Sequence, residues 1–128
     1  MTLTIASVNV NGIRAACKQR NENNPGMNAW LEETSAEIVL MQEVRATPEQ
    51  AEKALAPALE SGWYLALADA AAKGRAGVGI LSRTPLADVE VGFGSFTDAG
   101  RWIAATTRDI RVASLYLPSG DTGSPKLD

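Results

Sequence analysis

Residues 2–15 read TLTIASVNVNGIRA. Alternation places Leu3, Ile5, Ser7, Asn9 and Asn11 on one face of a strand and Thr4, Ala6, Val8 and Val10 on the other. Both faces are largely apolar, the pattern of a strand covered on two sides. At its C-terminal tip two amides replace the apolar side chains. Gly12 then frees the backbone to turn, and Arg14 follows in a short helix-compatible piece over residues 13–18. A buried strand that delivers polar groups and then a cation suits an anionic ligand. Asn-Gly taken alone is more often only a turn, so the choice falls to the rest of the chain.

Downstream, Met27, Trp30 and Leu31 stand at i, i+3 and i+4 with Glu32 and Glu33 turned outward, which predicts a short amphipathic helix. Residues 37–43, EIVLMQE, form an apolar run closed by two polar residues, a second buried strand with polar groups at its tip. A strand, a helix and a strand so close together imply a crossover and two parallel neighbours. Asn9 and Glu43 then lie side by side at one edge of the sheet.

Pro48 opens the next helix, and Pro57 kinks or divides it. Residues 63–68 and 77–83 read as strands, and residues 86–91 pair back after the Thr84-Pro85 turn. Residues 101–107 and 110–117 form a hairpin across Arg108-Asp109. Residues 118–128 are an irregular tail. The expected fold class is α/β, a single domain over residues 1–128 with one mixed sheet and its helices on the outer face. Two or three helices cannot blanket both faces of six or seven strands, so the inner face should lack its partner.

At 128 residues the chain has room for one domain and not two. A 45% hydrophobic and 21% charged composition marks a globular protein. The net charge of −3 supplies no global basic field, so nucleic-acid binding would need a local patch. The lone Cys17 rules out an intrachain disulfide and fits a reducing, cytoplasmic setting. No apolar run is long enough to span a membrane, and the N-terminus has no signal-peptide pattern. The absence of histidine excludes an imidazole base or metal ligand from these residues.

Glu43 is the most informative charge. A carboxylate closing an apolar strand can simply reach for water; beside Asn9 it also makes an oxygen-rich site of the kind magnesium takes, with one or two carboxylates and several waters. Tyr116 ends the last strand, where a structural aromatic would serve equally. Arg14, Lys18 and Arg75 are single cations on loops or helix starts.

Five segments occur in order: NVNGIRA at 9–15, LMQEVRA at 40–46, GRAGVGILSRTPL at 74–86, DAGRWIA at 98–104 and YLPSG at 116–120. Together they resemble the exonuclease III type of apurinic/apyrimidinic endonuclease, in the endonuclease/exonuclease/phosphatase superfamily. The resemblance implies the first half of a four-layer α/β sandwich, two sheets face to face with helices outside. It implies a DNA-repair phosphodiesterase that cuts double-stranded DNA 5′ to abasic sites or trims 3′ ends. It makes Asn9, Glu43 and Asn11 the magnesium cluster, with manganese as the alternative ion. It makes Arg14 and Ala15 the turn that holds the DNA backbone, and Tyr116 the contact to the scissile phosphate. Asn9 and Glu43 thereby also carry catalytic roles.

Two positions depart from the family pattern. Arg75 stands where some relatives have an aromatic residue, which implies a changed DNA contact, and Ala99 stands where many have an acid. The family's Asp-x-Asn pair and terminal Asp-His pair have no counterpart here. The expectation is therefore a chain that is inactive alone, whose partner is the C-terminal half of the same protein and which self-associates without it. Two other readings remain: a lipid or inositol phosphate phosphoesterase of the same superfamily, and a non-catalytic DNA- or protein-binding module.

Overall fold

Strand β1 (Ile5–Asn9) runs parallel to β2 (Ile38–Gln42) in the computed structural model, which describes residues 2–18, 25–68, 77–92 and 101–116. Ile5 faces Ile38 and Asn9 faces Gln42, so both strands end together. Strand β3 (Tyr64–Ala68) and β4 (Val78–Ser82) complete a mixed sheet of order β1-β2-β4-β3, with β4 antiparallel to both neighbours.

Among the described residues four helices lie against one face of this sheet: α1 (Ile13–Ala16), α2 (Met27–Glu33), α3 (Pro48–Ala54) and α4 (Ala56–Glu60). Helix α2 buries Met27 and Leu31, while Trp30 stays 39% exposed. Thr47 opens α3 with a capping box: its hydroxyl accepts from the Gln50 amide and its own amide donates to the Gln50 side chain. Pro57 sits in the first turn of α4 and divides the predicted single helix in two. Alternation along β2 sends Val39 and Met41 to this side, where they join Ile13, Leu31, Leu55 and Leu81 in the first core.

The strands after β4 correct two expectations. Residues 86–91 do not pair back onto 77–83, because both edges of β4 are already occupied by β2 and β3. Instead β5 (Ala87–Val91) pairs with β6 (Trp102–Thr107), and β6 with β7 (Ile110–Leu115), in a separate antiparallel sheet. The β6–β7 hairpin turns at Arg108 (φ 52°) and Asp109 (φ 64°), the paired left-handed residues of a type I′ turn.

The second correction concerns the inner face, which is covered in part. Ile38, Val78, Ile80 and Ala68 of the first sheet pack against Ile103, Ala105 and Val112 of the second, forming the other core. Among the described residues the inner face stays open at both sheet edges, with Ile5 of β1 43% exposed and Tyr64 of β3, the partner of inward-facing Ser82, 47% exposed. The mixed sheet with helices on its outer side is otherwise the expected architecture. The residue 118–128 tail lies outside the described residues.

Candidate active site

The site grows from three strand ends. Asn9 closes β1, Glu43 follows β2, and Tyr116 follows β7 in the opposed sheet, so the group forms at the mouth between the two sheets. The Tyr116 hydroxyl and the Asn9 side chain both stand beside the Glu43 carboxylate and favour its charged form as hydrogen-bonding neighbours. The Asn9 carbonyl oxygen accepts the Asn11 backbone N–H at 3.0 Å, an Asx turn that fixes the amide's orientation.

Glu43 reaches this group by breaking the strand's alternation. Gln42 faces the second sheet, so strict alternation would send Glu43 toward the helices. Its φ of 53° turns the side chain back to meet Tyr116. Left-handed backbone at a non-glycine residue costs on the order of 1 kcal/mol or more and needs the surroundings to hold it. Here the Glu43 carbonyl accepts from Gly12 N–H at 2.8 Å, the Val44 carbonyl accepts from Ile13 N–H at 2.9 Å, and Val44 N–H donates to Gly77 at 3.0 Å. Gly12 itself lies at φ 95°, which lets β1 turn directly into α1 against this segment.

The electrostatics follow from these contacts. The Tyr116 hydroxyl, ahead of Arg45 and Asn9, holds the Glu43 carboxyl below the usual glutamate range. The same hydrogen bond, with the carboxylate's own charge and partial burial, raises the Tyr116 phenol. Glu43 is thus ionised and Tyr116 protonated at neutral pH. Arg45 lies 3.4 Å from Glu43, with side-chain exposures of 45% and 15%, a loose ion pair at the rim.

Of the residues singled out from the sequence, the structure brings Asn9, Glu43 and Tyr116 together. Asn11 joins through its backbone N–H, and its side chain is exposed. Arg14 and Ala15 lie in α1, just past the turn; Arg14 donates to the Arg45 carbonyl at 3.4 Å. Arg75 and Ala99 lie outside the described residues. Arg45 was missed, although it stands within LMQEVRA two residues past Glu43. Gln42, Ser7 and Ser114 were also missed; their hydrogen bonds cross between strands and leave no mark in local spacing.

Among the described residues no three His, Cys, Asp or Glu side chains cluster to hold a metal. The donors present are one ionised carboxylate and one amide oxygen, which suits a hard cation that keeps most of its waters and suits zinc poorly.

A family model described as "Endonuclease/Exonuclease/phosphatase family" matches residues 6–121. The chain belongs to that family. An AP endonuclease from Archaeoglobus fulgidus is 30% identical with a TM-score of 0.82, over 98% of this chain and 45% of its own. A 3′-5′ exonuclease from Neisseria meningitidis is 27% identical with a TM-score of 0.78, over 99% and 46%. A Neisseria 3′ phosphatase bound to a product DNA hairpin is 25% identical with a TM-score of 0.79, over 98% and 46%. The chain thus spans about half the length of these solved structures and matches the first half of their fold. No helix among the described residues is long and apolar enough to cross a membrane.

Proposed function

We propose that these residues form one half of a divalent-metal-dependent DNA-repair phosphodiesterase of the exonuclease III and AP endonuclease type. The observation carrying this reading is the meeting of Asn9, Glu43 and Tyr116 where the two sheets open. The family membership and neighbours named for nuclease and phosphatase activity support it.

Asn9 and Glu43 would hold magnesium or manganese, with Asn11 beside them. The bound ion supplies charge neutralisation at a phosphate and at its leaving oxygen. Glu43, kept ionised by Tyr116 and Arg45, needs no proton removed before it can serve as a ligand. Tyr116, kept protonated, can turn its O–H from Glu43 to a phosphate oxygen, stabilising charge where it develops. Arg14, Ala15, Arg45 and Arg75 would contact the DNA backbone, setting position and not sequence.

No residue described here is placed to activate water, so the 128-residue chain is expected to bind metal and DNA weakly and to cut at a negligible rate. The test is Mn2+-induced broadening of the Asn9 and Glu43 NMR signals, wild type against Glu43→Gln, followed by nicking of an abasic-site duplex. Broadening lost in the variant supports the site. Rapid nicking by the chain alone overturns the division of labour, and preferential binding of an inositol phosphate overturns the DNA reading.

A further inference from the structure

A second row of side chains lies directly beneath Asn9, Glu43 and Tyr116. Ser7 is two residues before Asn9 on β1, and Ser114 two before Tyr116 on β7, so each shares its partner's face. Gln42 immediately precedes Glu43. Its side-chain amide donates to Ser7 Oγ at 3.2 Å, to Ser114 Oγ at 3.1 Å and to its own strand at Leu40 O, 3.3 Å. Ser114, 1% exposed, passes the chain on by donating to the Met41 carbonyl at 2.7 Å. One carboxamide therefore joins the same three strands that supply the row above.

We infer that Gln42 is a positioning residue: through Ser7 and Ser114 it sets the spacing of the three strand ends that carry Asn9, Glu43 and Tyr116. The inference rests on reading Asn9 and Glu43 as metal ligands. Its physical basis is that Glu43 is held in a left-handed backbone by its surroundings. Parallel pairing fixes β1 against β2, but β7 belongs to the other sheet and has no backbone ladder to either. Side chains must set that distance near the site, and this bridge runs from exposed Ser7 through half-buried Gln42 to buried Ser114, where the shielded end favours one geometry.

The two sheets are also joined elsewhere. Ser82 Oγ and Thr107 Oγ1 meet at 3.0 Å, with Thr84 alongside. Ser82 pairs with Ile38 at the start of β2, so this clasp lies about 13 Å from Gln42 at 3.3 Å per residue. It provides a control that weakens sheet-to-sheet packing without touching the row beneath the site.

The test compares Gln42→Met and Ser114→Ala, which remove the bridge, with Ser7→Thr, which keeps the hydroxyl, and Ser82→Ala, which breaks the distant clasp. Three quantities are read on the 128-residue chain: thermal midpoint, the nuclear Overhauser contact between the Tyr116 ring and Glu43, and the Mn2+ dissociation constant. Gln42→Met and Ser114→Ala should lose the contact and weaken Mn2+ binding roughly tenfold or more, the scale seen for outer-shell partners. Ser7→Thr and Ser82→Ala should keep both, whatever Ser82→Ala does to the midpoint. Gln42→Met retaining the contact overturns the inference, as does Ser82→Ala losing it equally. If the wild-type chain binds no Mn2+, the metal reading fails on its own, and the Tyr116–Glu43 contact still decides what Gln42 does.

Discussion

Glu43 and Tyr116 share one hydrogen bond and titrate away from each other because of it. The Glu43 carboxyl lies below its ordinary value of 4.5, so its contribution to stability is fully present above that pH. That contribution is lost as pH falls through the lower folded value. Tyr116 lies above its ordinary 10.0, so its contribution holds below that pH and is lost as pH rises through the raised value. Urea midpoints in chelator-treated buffer should therefore fall faster in acid for the wild type than for Glu43→Gln, and faster in alkali than for Tyr116→Phe. Parallel curves would remove the contact from the account. Cys17 behaves differently: burial alone pushes its thiol up to about 11. The thiolate is the reactive form, so iodoacetamide should modify native Cys17 far more slowly than the urea-unfolded chain at pH 8. Equal rates would mean the thiol is not shielded.

Capping is where a single element can be weighed. Both halves of the Thr47–Gln50 box are made, so Thr47→Ala should cost about 1 kcal/mol of unfolding free energy, read by urea titration. Thr47 itself is exposed, so no loss of packing confuses that figure, and an unchanged midpoint would show the box does not form in solution. Thr-Pro-Glu-Gln is also the kind of signal a sequence displays openly, as are the apolar run of β2 and the Asn-Gly turn after β1. Their causes are local: periodicity, fixed φ, a missing Cβ. What stayed hidden was non-local. Whether residues 86–91 join β4 depends on β3 having taken that edge, and β3 ends 19 residues before β5 begins, from Ala68 to Ala87. The left-handed φ of Glu43 was equally invisible, since glutamate carries no preference for it and tertiary hydrogen bonds impose it. Asn9 and Glu43 could be paired from sequence because a parallel crossover forces neighbouring tips together. Tyr116 had to be brought by the second sheet, which only the resemblance implied.

Among the described residues two cores form, and besides Trp30 and Tyr64 large apolar side chains stay exposed in two regions. Ile5 stands 43% exposed on the uncovered part of the inner face, while Val89, Val91 and Leu115 are 46%, 43% and 46% exposed on the second sheet. Strand β5 is exposed along its whole length, and among the described residues β5 and β7 are the outer strands of their sheet. Fully burying such a side chain is worth about 1.5–3 kcal/mol, of which these half-exposed ones forgo roughly half, and open edges offer ready-made pairing to another strand. The chain matches about half the length of its structural neighbours. The outcome expected from these surfaces is self-association of the 128-residue chain. Sedimentation velocity should show a concentration-dependent shift from monomer to dimer or larger species at neutral pH. Ile5→Lys and Leu115→Lys place charges on the two bare regions without entering either core, so the double variant should move that shift to at least about tenfold higher concentration, the equivalent of one partly buried side chain. An ideal monomer across the whole range for the wild type would mean these surfaces are tolerated as they stand, and the open region above β1 would then need no covering layer.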